Sequence, residues 1–248
     1  MAVRVNGEGI LLSEFEDELR RFQAGTADLE IPFNDQQARD LVLDELIEQT
    51  LLAQSAFANG YTQTDADVDA KISEYEQELG GSDALDAYLN ENFYTRDSFR
   101  LAVARDQAAI FMRNIILDDV PVTAEQVRAR QIVLDTENQA IGVLRQLEVG
   151  TPFRDLAFEY DPLAGGELGW FPRGYLYQPA VEEAAFSLQP GQFSGIVTTD
   201  FGFHIVEVME RSSEQPLAQD ALLFVQRNAL DDWLTNARAA AQIEILVP

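Results

Sequence analysis

Gly165-Gly166-Glu167-Leu168-Gly169-Trp170, followed later by Phe201-Gly202-Phe203-His204-Ile205-Val206-Glu207-Val208, decides how this chain is read. The first stretch lies among Gly-rich turns and strands. It makes no phosphate cradle, because the Walker lysine and the dinucleotide spacing are both missing. The second stretch reads as a buried strand, apolar on both faces, with a histidine at its start. Gln131 has the same character within Ala129-Arg130-Gln131-Ile132-Val133-Leu134. A buried Gln or His must find hydrogen-bond partners, so two such residues on interior strands could satisfy each other.

Outward from these strands, an α+β stretch opens at Pro121. A strand over 129–134 precedes one helix with Ala140, Leu144 and Leu147 and another with Phe153, Leu156, Ala157 and Tyr160. Gly-rich turns and strands then continue to about Arg211. Near the start, Val3-Arg4-Val5-Asn6-Gly7 reads as a short strand closed by an Asn-Gly turn. Ser13 with Glu16 three residues on predicts a capping box, for a helix with Phe15, Leu19 and Phe22 in one stripe. Further helices are predicted from about 35 to the Asn59-Gly60 stop, from Thr64 to Gly80-Gly81, around Leu85 and Tyr88, and over 95–117. Their expected buried stripes hold Leu43, Leu46, Ile47 and Leu51; then Val68, Ile72, Tyr75 and Leu79; then Phe99, Val103, Ile110 and Leu117. A last amphipathic helix over 217–241 puts Leu222, Val225, Ala229 and Trp233 on one face, before a strand-like Ile243-Glu244-Ile245-Leu246-Val247. Such a helix needs a partner surface, which the N-terminal helices offer, and the last strand could pair with Val3-Arg4-Val5. The expected organisation is a mostly helical domain built from residues 1–120 and 213–248, with an α+β unit over 121–212 inserted in it. The alternative is a free C-terminal helix that pairs two copies into a homodimer.

Composition removes several function classes. There is no cysteine and a single histidine, so a thiolate zinc site, a multi-histidine metal site and a two-imidazole relay are all excluded. No cofactor is implied. Acids outnumber bases 43 to 17, giving a net charge of -26, the opposite of what a nucleic-acid groove requires. No run approaches the roughly 20 apolar residues of a membrane span, and Met1-Ala2-Val3-Arg4-Val5 does not read as a secretory leader. Asp65-Ala66-Asp67-Val68-Asp69 resembles the opening of a calcium loop, but the turn glycine and closing glutamate are missing.

Residues 128–210 resemble a parvulin domain, and four ordered motifs carry the likeness. Gln131-Ile132-Val133 corresponds to the opening strand, and Gly150-Thr151-Pro152-Phe153-Arg154-Asp155-Leu156-Ala157 to a helix start of the form G-x-x-F-x-x-L-A. Gly165 through Gly174 resembles G-G-D-L-G-W-x-x-R-G, and Phe201-Gly202-Phe203-His204-Ile205 resembles F-G-Y-H-I. Both flanks are similar to those of the SurA and PrsA foldases, through Val5-Asn6-Gly7-Glu8 and the Trp233-bearing helix. The implied fold is α+β: a parvulin unit, a small antiparallel sheet with surrounding helices, inside a mostly α-helical SurA-like chaperone body.

The implied activity is peptidyl-prolyl cis-trans isomerisation, assisting the folding of unfolded or proline-containing polypeptides. The resemblance assigns a proline pocket to Leu168, Leu176 and Val181, with Phe193 or Phe201 as a further wall. It assigns an orienting network to His204 and Thr199, with Gln131 where the family has its first core histidine. Asp161 stands in for the Asp or Cys placed near the reacting amide. Gln131, a valine at 181 where Phe is common, and a shortened loop over 160–164 imply weaker activity than the family's, or its loss. A non-catalytic holdase is therefore the second reading. The loop Asp135-Thr136-Glu137-Asn138 has no Arg or Lys to pair a phosphate, so phosphorylated Ser/Thr-Pro is not an expected substrate. The resemblance also implies work outside the cytoplasm; without it, the residues fit a cytoplasmic protein equally well.

Overall fold

The computed structural model describes residues 1–27 and 33–247. The elements are β1 (Val3–Val5), β2 (Glu8–Ile10), α1 (Leu12–Thr26), α2 (Asp35–Ala58), α3 (Asp65–Leu79), α4 (Ser82–Glu91) and α5 (Arg96–Asp118). They continue as β3 (Thr123–Leu134), α6 (Glu137–Glu148), α7 (Phe153–Tyr160), β4 (Glu167–Pro172), α8 (Pro179–Ser187) and β5 (Val197–Thr199). The chain closes with β6 (Gly202–Pro216), α9 (Gln219–Ala240) and β7 (Ile243–Ile245). Two compact units result: Met1–Asp119 with Asn228–Pro248, and Val120–Arg227. The second unit runs past residue 212, because β6 continues to Pro216 and the start of α9 stays with it: Tyr175 bonds Asp220 (2.7 Å) and packs its ring edge on Phe224.

The first unit is helical around a small sheet ordered β2-β1-β7. Asn6 and Gly7, both at positive φ, make the turn that folds β2 back on β1. On its other edge β1 pairs antiparallel with β7, Val3 opposite Ile245 and Val5 opposite Ile243. Val3, Val5, Ile10 and Phe15 are buried with Leu43, Leu46, Ile47 and Leu51 of α2, and Ala237, Ala241 and Ile243 pack against them. Further along, α2 meets α5 through Leu52, Ala53, Ala56, Ala108, Ala109 and Met112, alanines that let two backbones approach closely. Ala229, Leu230, Trp233 and Leu234 of α9 cover that seam.

Three local expectations are corrected. Ser13 does not cap α1: the helix starts directly after β2, with Leu11 at the N-cap, so Ser13 already lies inside the first turn. Leu79 and Ile110 are exposed, because α3 ends at Leu79 before a left-handed Gly80 and because α5 turns Met112 and Ile116 inward instead. The N-caps at Asn34, Thr64 and Thr95 are each closed by reciprocal capping boxes.

The second unit is a four-stranded sheet ordered β4-β3-β6-β5, with all three pairings antiparallel. Alternation along β3 and β6 gives it two apolar faces. Ile132, Leu134 and Ile205 pack with α6 and α7, while Val127, Ala129, Val206 and Val208 pack with Phe171 and with Val181, Ala185 and Phe186 of α8. Helix α8 was not expected; it is short, and Pro179 starts it inside a stretch that reads as turns.

Ending the chain after Ala241 removes β7, leaving one edge of β1 unpaired and the packing of Ile243 lost. We expect a urea midpoint lowered for the first unit by the equivalent of about 2–3 kcal/mol, with the second unit unchanged. Tryptophan fluorescence separates the two, since Trp233 reports the first unit and Trp170 the second.

Candidate active site

Strand register places the polar residues of the site. Val133 of β3 stands opposite His204 of β6, and Val197 of β5 stands opposite His204 on the other side. Gln131 is two residues from Val133 and Thr199 two from Val197, so all three project from one sheet face as diagonal neighbours. The contacts follow: His204 Nδ1 lies 2.8 Å from Gln131 Oε1, and His204 Nε2 lies 2.8 Å from Thr199 Oγ1. A carboxamide oxygen can only accept, so Nδ1 carries the proton and Nε2 receives the Thr199 hydroxyl. Thr199 Oγ1 also accepts from the Phe201 N–H at 3.1 Å.

His204 is 4% exposed, and burial pushes its pKa below the ordinary imidazole value. Both partners are neutral, so the imidazole is uncharged at pH 7.

The same sheet face carries the apolar cluster. Val181 is 2% exposed, and Leu168 and Leu176, both half-buried, pack against its cluster with Val197. Glu182 fixes Leu176 by accepting from the backbone N–H of Gly174 (2.6 Å) and Leu176 (3.0 Å). Beside Leu168 is a cleft of about 170 Å³, lined by Gln131, Val133, Tyr160, Asp161, Gly166 and Leu168 among others.

Three expected site residues behave differently. Phe201 is not buried with the apolar cluster: it sits at the tip of the turn between β5 and β6 and is 65% exposed. Phe193 lies on the opposite sheet face, with Ile132 and Phe153. Asp161 does border the cleft, but its carboxylate is engaged by its own loop. It accepts from the N–H of Gly166 (2.9 Å), Ala164 (3.2 Å) and Leu163 (3.3 Å), bonds that hold it below the usual carboxylate range.

That loop explains the paired glycines. Gly166, at φ +67°, exchanges a 2.8 Å bond with the Gln131 N–H, and a Cβ there would overlap the Gln131 carbonyl oxygen. Gly202, at φ +124°, sits where a Cβ would come within 2.7 Å of the Leu134 carbonyl oxygen.

With this geometry, comparison with known proteins is informative. The profile of the PPIC-type PPIASE domain matches residues 103–212, and that of the SurA-like N-terminal domain matches residues 1–110. The foldase protein PrsA of Geobacillus kaustophilus is 31% identical over 209 residues, covering 77% of this chain and 70% of that protein. The chain belongs to the PrsA foldase family. A second PrsA, from Caldanaerobacter subterraneus subsp. tengcongensis, is 31% identical over 228 residues, covering 82% of this chain and 71% of the other. The crystal structure of the peptidylprolyl isomerase PrsA from Bacillus cereus aligns with a TM-score of 0.52 at 20% identity, over 95% of this chain and 86% of that one, and shows the shared fold. This PrsA-family chain is thus a peptidyl-prolyl isomerase of the foldase type, with SurA-like segments and polypeptide clients. Among its described residues no helix is long and apolar enough to cross a membrane.

Two outcomes test the geometry. Gly166→Ala should lower the stability of the second unit by about 2–4 kcal/mol, read by urea denaturation, since both φ and the Gln131 contact resist a side chain. For pH, the sign follows from His204 having a folded pKa below its unfolded one. The unfolded chain then binds more protons in the acidic window, so this contribution is complete above about pH 6.5 and lost as pH falls through the folded pKa. With one histidine in the chain, His204→Gln should flatten that slope in denaturation curves between about pH 5 and 7.

Proposed function

We propose that the second unit catalyses rotation about X-Pro bonds with the proline ring held against Leu168, Leu176 and Val181. The Gln131–His204–Thr199 line lies behind that pocket. The observation that carries this reading is that the polar line and the apolar cluster share one face of one sheet.

The barrier to rotation, about 18–20 kcal/mol, is the conjugation of the amide. At the twisted geometry the carbonyl loses polarity and the nitrogen lone pair localises, so no bond need break and no proton need leave. A site favours that state by gripping the ring in apolar surroundings and offering hydrogen bonding suited to the twisted amide rather than the planar one. A neutral imidazole between two neutral partners suits the task, because no fixed charge stabilises the polar planar amide. The His204 hydrogen bonds hold Gln131 and Thr199 in place, which makes His204 a positioning residue.

Unphosphorylated sequences are the fitting substrates. The loop over 135–138 carries no cation, and the arginines of β3 are already paired, Arg128 with Glu167 and Glu210 and Arg130 with Glu207. We place the protein outside the cytoplasm, acting on exported chains, on the strength of its PrsA and SurA relatives.

A second activity is favoured by one observation. The helical unit has a larger cleft, about 230 Å³, whose lining mixes Leu46, Tyr75, Tyr94, Phe99 and Val103 with Glu14, Asp17, Glu18 and Asp106. Such a cleft can hold an unfolded segment without any chemistry, as a holdase does.

A protease-coupled assay on X-Pro tetrapeptides separates the two. His204→Ala, which leaves Gln131 and Thr199 without their shared partner, should lower kcat/KM by about tenfold. Suppression of client aggregation should be unchanged in the same variant. A wild-type rate equal to the uncatalysed one, for every X tried, would refute the isomerase reading.

A further inference from the structure

Two aromatic side chains stand almost fully in solvent and yet touch each other. Tyr177 is 85% exposed and Phe201 is 65% exposed, with ring centroids 5.8 Å apart and planes at 78°. They come from segments far apart in sequence, the loop before α8 and the turn between β5 and β6. Each segment is anchored to the site at a neighbouring residue. Leu176, next to Tyr177, is fixed by the Glu182 carboxylate and packs with Val181. Phe201 gives its N–H to Thr199 Oγ1, the atom that also holds His204 Nε2.

We infer that Tyr177 and Phe201 form an aromatic clamp at the Thr199 end of the site, taking an apolar or aromatic side chain that flanks the proline. The inference rests on the isomerase reading of that site and adds to it a preference among substrates. An edge-to-face pair leaves ring faces free, and a third apolar group can cover them, removing area from water that the folded chain by itself leaves exposed. The anchors hold both rings in place before a client arrives, which lowers the ordering cost of binding. Asp200, between Thr199 and Phe201 in the turn, sets acidic flanking residues at a disadvantage.

The test uses the full chain and short peptides in which proline is flanked by Ala, Phe or Glu, on either side. Exchange NMR measures isomerisation, and shifts of the single His204 imidazole measure binding. The expected order is Phe above Ala above Glu, with Phe over Ala by about fivefold, the size of one aromatic contact. Tyr177→Ser and Phe201→Ser should each bring the Phe to Ala ratio towards one, whereas Tyr177→Phe should keep it. Circular dichroism checks that the variants are folded. An unchanged ratio in the serine variants, or no wild-type preference for Phe, overturns the clamp. If no peptide is isomerised but Phe-dependent binding is present and lost in the serine variants, the clamp stands and the isomerase reading fails. If Phe-dependent binding is also missing, both fail.

Discussion

In the register between β3 and β6, Val133 faces His204 and Ile132 faces Ile205. A slip of one residue would put Gln131 and His204 on opposite sheet faces, one of them among Leu134, Phe153 and Leu156 under α6 and α7, and would break the line between them. Gly202, at the start of β6, guards against that slip, and Gly166, just before β4, fixes the other neighbour of β3. Gly166 and Gly202 press their bare Cα atoms onto the carbonyls of Gln131 and Leu134, one near each end of the strand segment that carries the site. Only the correct register offers both contacts, so glycines that resemble a loop signature serve as pins on β3.

With the register set, the site is assembled from groups that carry no net charge, in a chain whose formal charge is -26. Two carboxylates beside it are occupied: Asp161 by three loop N–H groups and Glu182 by two. Each holds backbone in position. Two acids of the chain thus support the geometry of a neutral polar line.

The motifs made much of this legible. Periodicity gave the N-terminal helices, though not the start of α1, and short apolar runs gave the strands that bear Gln131 and His204. Two partners for the histidine could be named because a buried imidazole must bond, and the family likeness supplied Thr199. What escaped has physical causes. Helix α8 is short and starts at a proline among turn residues, so no period had room to show. The placement of Phe201 and Phe193 depends on a tight turn and on strand parity, which a sequence motif does not encode. Tyr177 carried no signal at all, since one aromatic in a loop is mute until its partner from another segment is beside it. The sequence places Asp161 near the reacting amide by family likeness alone, and does not show that its carboxylate also staples its own loop.

The pairing of β7 with β1 also sets an order in time. Val120–Arg227 is one continuous stretch, complete in itself while the remainder of the chain is still being made. The helical unit is different, because the strand beside β1 and the Trp233 face over the α2–α5 seam follow the second unit in the chain. Its first helices emerge before the second unit and are covered only after it, and until then Val3, Val5 and the alanine seam lack that cover. During its own synthesis this foldase therefore exposes apolar surface that only a later segment of the same chain can cover.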